Sequence, residues 1–267
     1  MGSKNLRRRI NIGGRHLYVE CAGKGKPTIL FESGLGDGCS AWDSVWKQLS
    51  SITSVCRYDR AGIGKSDPAQ LPRTSREVVA DLHTLVNKLE LAHPLVIVAH
   101  SFGCIHARLF TQEYPNKVAA LVLLDSSLPD LGERILELLP AERSGESEGL
   151  TNYREALRHP KIVEEIEGLI ANDCYAQVRS HKSYGDIPII TIVSGSLVFS
   201  SNESWWPPDL SGTLAADFTN IYRELRADIT KLSIRGKEVF LQDSGHYIQK
   251  DKPDRVVDTI LQVIKDI

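Results

Sequence analysis

The chain has 267 residues, of which 42% are hydrophobic and 25% charged, and its formal net charge is −2. This length suits one large domain or one domain with an insertion, and the composition is typical of globular proteins. The near-neutral charge excludes the strongly basic field of a nucleic-acid-binding protein. No run reaches the roughly 18 apolar residues of a membrane span. We therefore expect that the chain neither binds nucleic acid nor spans a membrane.

Strands and helices alternate along the first part of the chain. Apolar and periodic runs predict strands at 7–12, 16–21, 27–33, 54–58, 95–99 and 118–124, and helices at 42–49, 75–91 and 102–114. Residues 128–186 hold no convincing strand, and helical stretches are expected at 132–139 and 161–171. Strands return at 187–193 and 238–242, with helices at 215–232 and 253–267.

Continuous apolar strands indicate a mostly parallel sheet that is covered by helices on both faces. We therefore predict an α/β fold with a core formed by 1–127 and 187–267. Residues 128–186 are predicted to form a small helical cap inserted into that core.

Five cysteines are scattered along the chain without metal-ligand spacing. They indicate reduced, mostly buried thiols, and together with an N-terminal segment that lacks an apolar stretch they predict a cytoplasmic protein. No metal or other cofactor is indicated. The sequence does not indicate an oligomeric state.

The segment around Ser101 combines an apolar strand, a sharp turn and a helix. An apolar run ends in Ala99-His100-Ser101-Phe102-Gly103, and helical spacing begins at once. This pattern predicts a nucleophile elbow with Ala99 in the first glycine position. Such a turn exposes the serine hydroxyl at the carboxyl edge of the sheet.

A serine nucleophile needs a base, and the base needs an acid. His246 follows the last predicted strand, at the edge where sites of α/β sheets lie, and is the best base candidate. Asp125 directly follows the strand 118–124 and is the favoured acid. Asp209 and Glu203, in a later loop, remain alternative acids.

Two backbone N–H groups are needed to stabilise a developing oxyanion. We assign them to Phe102, which follows the nucleophile, and to Leu35, in a glycine-rich loop after the strand 27–33. Trp205 and Trp206 either form a wall of an apolar substrate pocket or simply pack beneath the cap. The two interpretations have equal weight.

Four motifs in order resemble the α/β-hydrolase superfamily: SGLGDG (33–38), YDRAGIGKSD (58–67), VAHSFG (98–103) and SGHYI (244–248). The resemblance covers nearly all of the chain outside the cap. It implies a Ser–His–acid triad and a cap that shapes the pocket. No acid follows the strand 187–193, which places the acid at Asp125, as in some relatives. Because the nucleophile is Ser101 and not an aspartate, the dehalogenase and epoxide-hydrolase branches are disfavoured.

These features predict hydrolysis of a carboxylic ester, with a small, apolar ester as substrate, through an acyl-enzyme. Two alternatives stay open because one fold hosts many functions. The chain could be a ligand-binding or signalling module with little or no turnover. It could also be a cofactor-free C–C hydrolase or lyase that uses the same triad.

Overall fold

The structure is a computed structural model, and it describes residues 5–181, 183–195, 199–204 and 206–267. Its strands are β1 (Leu6–Asn11), β2 (His16–Ala22), β3 (Ile29–Glu32), β4 (Val55–Tyr58), β5 (Leu95–His100), β6 (Val118–Leu124), β7 (Ile189–Ser194) and β8 (Lys237–Leu241). Its helices are α1 (Asp43–Ser50), α2 (Ser75–Lys88), α3 (Gly103–Glu113), α4 (Leu131–Leu138), α5 (Glu148–Arg158), α6 (Lys161–Glu167), α7 (Ala171–Arg179), α8 (Leu214–Lys231), α9 (Ile248–Asp251) and α10 (Pro253–Asp266).

The strands form one eight-stranded sheet in the order β1-β2-β4-β3-β5-β6-β7-β8. Strands β4, β3, β5, β6, β7 and β8 run parallel, whereas β2 runs antiparallel to both of its neighbours, β1 and β4. The predicted mostly parallel α/β fold is therefore confirmed. Parallel strands place their carboxyl ends at one edge, so the segments that follow β3, β5, β6 and β8 share that edge.

Side chains that alternate along the central strands divide the core between the two faces of the sheet. On β5, Leu95 and Ile97 pack with helices α2, α3 and α8, whereas Val96 and Val98 pack with α1 and α10. All four side chains are fully buried. This two-sided cover explains why the strands are continuous apolar runs.

Helices α4 to α7 lie between β6 and β7, where the cap was predicted. They do not form one separate layer, because Val163 and Val178, on α6 and α7, pack into the core cluster of α2 and α3. Helices α4 and α5 form a further apolar cluster with the segment before α8 and with the start of α8. The division into core and cap at residues 127 and 187 stays a prediction.

Two helices differ from the sequence-based expectation in this region. Helix α5 was not predicted, although Ser147 caps it by accepting a hydrogen bond from the Leu150 amide. The stretch predicted as a helix over 161–171 ends at Glu167, because Gly168 adopts a left-handed conformation (φ 63°) that terminates the helix. A new helix, α7, begins at Ala171.

The prediction that all five cysteines are reduced is wrong for two of them. Cys21 and Cys56 form a disulfide between the antiparallel strands β2 and β4, where they are directly paired. They are 35 residues apart in sequence, so only the strand register brings them together. Cys39, Cys104 and Cys174 are free and buried, as expected.

Candidate active site

Ser101 lies at the turn between β5 and α3, with a positive φ of 52°. Such a backbone conformation is uncommon for a residue with a side chain and is the expected strain of a nucleophile elbow. The Ser101 amide donates to the Leu124 carbonyl at 2.9 Å, which ties the turn to β6. The hydroxyl is thereby held above the carboxyl edge of the sheet.

Gly103 allows α3 to start directly against β3. A Cβ at this position would lie 2.3 Å from the Ser33 carbonyl oxygen and 2.8 Å from that of Glu32. A side chain would therefore push α3 and the elbow away from the end of β3. The last glycine of the elbow pattern is required by this close approach.

The predicted base and the favoured acid come together beside Ser101. The Ser101 Oγ lies 3.0 Å from His246 Nε2, and His246 Nδ1 lies 2.7 Å from Asp125 Oδ2. Both distances fit hydrogen bonds. Three residues that are far apart in sequence thus form a continuous chain of hydrogen bonds from the hydroxyl to a carboxylate.

Asp125 is held rigidly at the end of β6. Its side chain is fully buried, whereas that of His246 is 43% exposed. The Ser194 amide and hydroxyl both donate to Asp125, at 3.1–3.2 Å. These donors replace water around the buried carboxylate and fix the oxygen that faces His246.

The two alternative acids lie elsewhere. Asp209 accepts hydrogen bonds from the Ser147 amide, at 2.9 Å, and from the Ser147 hydroxyl, at the start of α5. Glu203 lies in an exposed turn, where its carbonyl accepts from the Trp206 amide. Neither carboxylate is brought to His246 in the described part of the chain.

His100 precedes the nucleophile but does not contact its hydroxyl. Its Nε2 lies 2.9 Å from the His246 carbonyl oxygen and must donate to it. Burial, and then the neighbouring His246, lower the pKa of His100 to about 4. His100 therefore stays neutral near pH 7 and anchors the loop that carries His246.

A cavity of about 300 Å³ opens at Ser101 and His246. Its walls are largely apolar and come mainly from the helical region after β6, and its lining residues include Leu128, Leu131, Leu157, Pro160, Tyr175 and Tyr222. Burial, and then the charge of Asp125, raise the pKa of Tyr222, which keeps its hydroxyl protonated. Neither tyrosine was singled out from the sequence, because helical periodicity alone does not show which face meets the site.

The structure places Trp206 away from this cavity. Its side chain packs near Phe218 in the apolar cluster of α4, α5 and α8, and its indole N–H donates to the Leu210 carbonyl. Of the two interpretations made from the sequence, the position fits packing beneath the cap. Trp205 lies outside the described residues.

The loop that carries Leu35 follows β3 and passes the nucleophile. A Cβ on Gly34 would lie 3.4 Å from the Ser101 Cβ and 2.9 Å from His100 Nδ1. Within the described residues, the Leu35 and Phe102 amides donate to no protein acceptor. Phe102 also stands at the N-terminus of α3.

The buried charges of Asp59 and Arg60 form hydrogen bonds that restrain this loop. Asp59 accepts hydrogen bonds from the Cys39 and Lys65 amides, at 2.7 and 2.9 Å. Arg60 donates to the Ser33 carbonyl at 2.6 Å and to the Gly34 carbonyl. These contacts tie the segment after β4 to the loop after β3.

Comparisons with known proteins identify the fold family of the chain. The family model described as "alpha/beta hydrolase fold" matches residues 27–184. An uncharacterized protein of Bacillus subtilis, YqjL, is 22% identical over 228 residues, which cover 85% of this chain and 79% of that protein.

Solved structures are similar over almost the whole chain. A thermophilic esterase from Thermogutta terrifontis superposes with a TM-score of 0.64 and 21% identity, covering 98% of both chains. The epoxide hydrolase CorEH superposes with a TM-score of 0.65 and 17% identity, covering 98% of this chain and 99% of its own. At these identities the likeness establishes the fold alone. No helix within the described ranges combines the length and apolar character needed to cross a membrane.

Proposed function

Because this chain belongs to the α/β-hydrolase fold family, we propose that it is a serine hydrolase that cleaves carboxylic esters through an acyl-enzyme. The observation that supports this most directly is the continuous hydrogen-bond chain from Ser101 through His246 to Asp125. A serine hydroxyl is a weak nucleophile until such a base removes its proton.

In the proposed reaction, Ser101 Oγ attacks the ester carbonyl while His246 Nε2 accepts the hydroxyl proton. Asp125 orients the ring through Nδ1 and stabilises the imidazolium that forms. The Leu35 and Phe102 N–H groups donate to the oxyanion. Protonated His246 then gives its proton to the leaving alcohol, and water attacks the acyl-serine by the same route, releasing the acid and free Ser101.

The size and the apolar walls of the cavity support a substrate with a small, apolar acyl or alcohol group. Leu128, Leu131 and Leu157 contribute apolar walls beside the nucleophile. An alkyl-enzyme route of the epoxide-hydrolase kind needs a carboxylate where Ser101 stands, so the similarity to CorEH does not favour that chemistry. The cytoplasmic location stays a prediction.

Hydrolysis of p-nitrophenyl esters from acetate to decanoate tests the proposal. We expect turnover by the wild type and a loss of at least about 10⁴-fold in kcat for Ser101→Ala, since the nucleophile is absent. Ser180→Ala removes an exposed hydroxyl at the end of α7 and serves as the control. Turnover that survives in Ser101→Ala would overturn the proposal. Tight ligand binding without turnover would favour the receptor alternative.

A further inference from the structure

The peptide groups on both sides of Leu35 are held by one buried ion pair. Arg60 donates to the Gly34 carbonyl on one side of Leu35. On the other side, the Gly36 amide donates to Glu167 Oε1 at 2.8 Å. Arg60 Nε in turn donates to Glu167 Oε2 at 3.0 Å. Arg60 and Glu167 thus clamp the loop between them.

Because of peptide geometry, these hydrogen bonds also fix the orientation of the Leu35 N–H group. The Gly34 carbonyl and the Leu35 N–H belong to the same planar, trans peptide, so they point in opposite directions. When Arg60 fixes the carbonyl oxygen, the Leu35 N–H is turned to the opposite side. Gly36 is held as well, so the loop is restrained on both sides of that peptide.

The ion pair is buried and strongly coupled. The Arg60 side chain is 3% exposed and that of Glu167 is 0% exposed. Burial alone would raise the pKa of Glu167, but Arg60 and the Gly36 amide outweigh it and lower that pKa to about 2. Arg73 adds a second contact to Glu167 at 3.1 Å, and Glu32 contacts Arg60 at 2.8 Å.

A buried ion pair is a poor general source of stability, because the desolvation of both charges offsets their attraction. In this pair, the three guanidinium nitrogens of Arg60 and both carboxylate oxygens of Glu167 form hydrogen bonds to one loop or to each other. Glu167 stands on α6, within the helical region after β6, whereas the loop follows β3. The contact therefore joins the helical region to the candidate oxyanion site.

We infer that Arg60 and Glu167 are positioning residues that orient the Leu35 N–H toward the oxyanion, so that a helix outside the sheet completes the oxyanion hole. This inference rests on the proposed function, since an oxyanion forms only if Ser101 attacks a carbonyl. Neither side chain touches the substrate. Their effect is transmitted through the backbone of Gly34, Leu35 and Gly36.

The variant Glu167→Gln tests the inference, because the amide carries no charge, and the nitrogen that replaces one carboxylate oxygen cannot accept the hydrogen bonds donated to that position. We expect kcat to fall about 10- to 100-fold while KM stays within about twofold, since the donor is misaligned rather than removed. Hydrogen exchange of the Gly36 amide should become faster. Arg60→Lys, which keeps the charge but loses the fork of donors, should give the same pattern if Glu167→Gln does not fold.

Glu20→Gln is the matched control. Glu20 pairs with Arg57 between β2 and β4, at 2.7 Å, with side chains that are similarly buried (8% and 6% exposed). Neither residue contacts residues 33–36 in the described contacts. This variant should lower the melting temperature without changing kcat or exchange at Gly36.

Equal kcat in Glu167→Gln and Glu20→Gln would overturn the inference, and so would a fall in kcat with unchanged exchange at Gly36. If the wild type hydrolyses no ester, the proposed function fails first. Hydrogen exchange of the Gly36 amide in Glu167→Gln then still decides whether Glu167 restrains the loop. If the exchange rate is the same as in the wild type, Glu167 does not restrain it.

Discussion

The strand ends and the helical region between β6 and β7 contribute to the site in different ways. The segments after β3, β5, β6 and β8 supply all the groups proposed to take part in the chemistry, which are Leu35, Ser101, Phe102, Asp125 and His246. The helical region supplies most of the cavity wall and Glu167. In the proposed mechanism, sheet topology thus fixes the reactive groups, whereas selectivity and the alignment of the Leu35 N–H depend on how the helices pack over that sheet.

The variant Asp125→Asn is the strongest test of the proposal that residues at the strand ends carry out the chemistry. An amide cannot stabilise the imidazolium of His246 and favours the wrong ring tautomer, so kcat should fall by about 10³- to 10⁴-fold. Asp209→Asn should leave kcat near that of the wild type, because Asp209 instead accepts hydrogen bonds from Ser147 at the start of α5. Steady-state kinetics of both variants distinguish the two acids. A greater loss in Asp209→Asn would move the acid to the later loop.

The proposal that the helical region lines the substrate pocket is tested by a substitution that narrows the cavity at Leu157. Leu157→Trp should lower kcat/KM for long-chain esters by about 10- to 100-fold relative to acetate, since pocket walls discriminate by contact with each methylene. Leu138→Trp adds the same bulk to α4 at a partly exposed position that does not line the cavity. An unchanged chain-length profile in Leu157→Trp would show that the substrate chain lies elsewhere.

The Arg60–Glu167 ion pair, which links the two regions, is tested by the dependence of the melting temperature on pH. The pKa of Glu167 falls from an ordinary 4.5 to about 2 in the folded protein. Its ion pair therefore stabilises the fold fully above pH 4.5, and this contribution is lost as the pH falls toward 2. The melting temperature of the wild type should fall more steeply between pH 5 and 3 than that of Glu167→Gln. Parallel curves would contradict the lowered pKa.

Much of the strand-end region was predictable from local sequence. Each reactive residue directly follows, or lies within a few residues of, an apolar run, and a parallel sheet brings such positions to one edge. The elbow at Ser101 has its own local signature. The structure brings His246 within hydrogen-bond distance of both Ser101 and Asp125, although the catalytic roles of the three residues stay predictions.

Features that depend on three-dimensional register were missed. The Cys21–Cys56 bond requires the alignment of β2 with β4, and the Glu167 clamp requires α6 to lie over the loop after β3. Helix α5 has a capping serine, but its polar sequence conceals the buried side. The disulfide and the Glu167 contacts each join segments that are far apart in the chain, and their spacing does not predict that they meet.

The account depends above all on Ser101 being activated by His246. Reaction with a fluorophosphonate, followed by intact-mass and peptide mass spectrometry, tests this without knowledge of the natural substrate. We predict one adduct per chain, located at Ser101, and none on the same timescale in His246→Ala. A wild-type protein that stays unlabelled, or an adduct at another residue, would contradict the proposed catalytic serine.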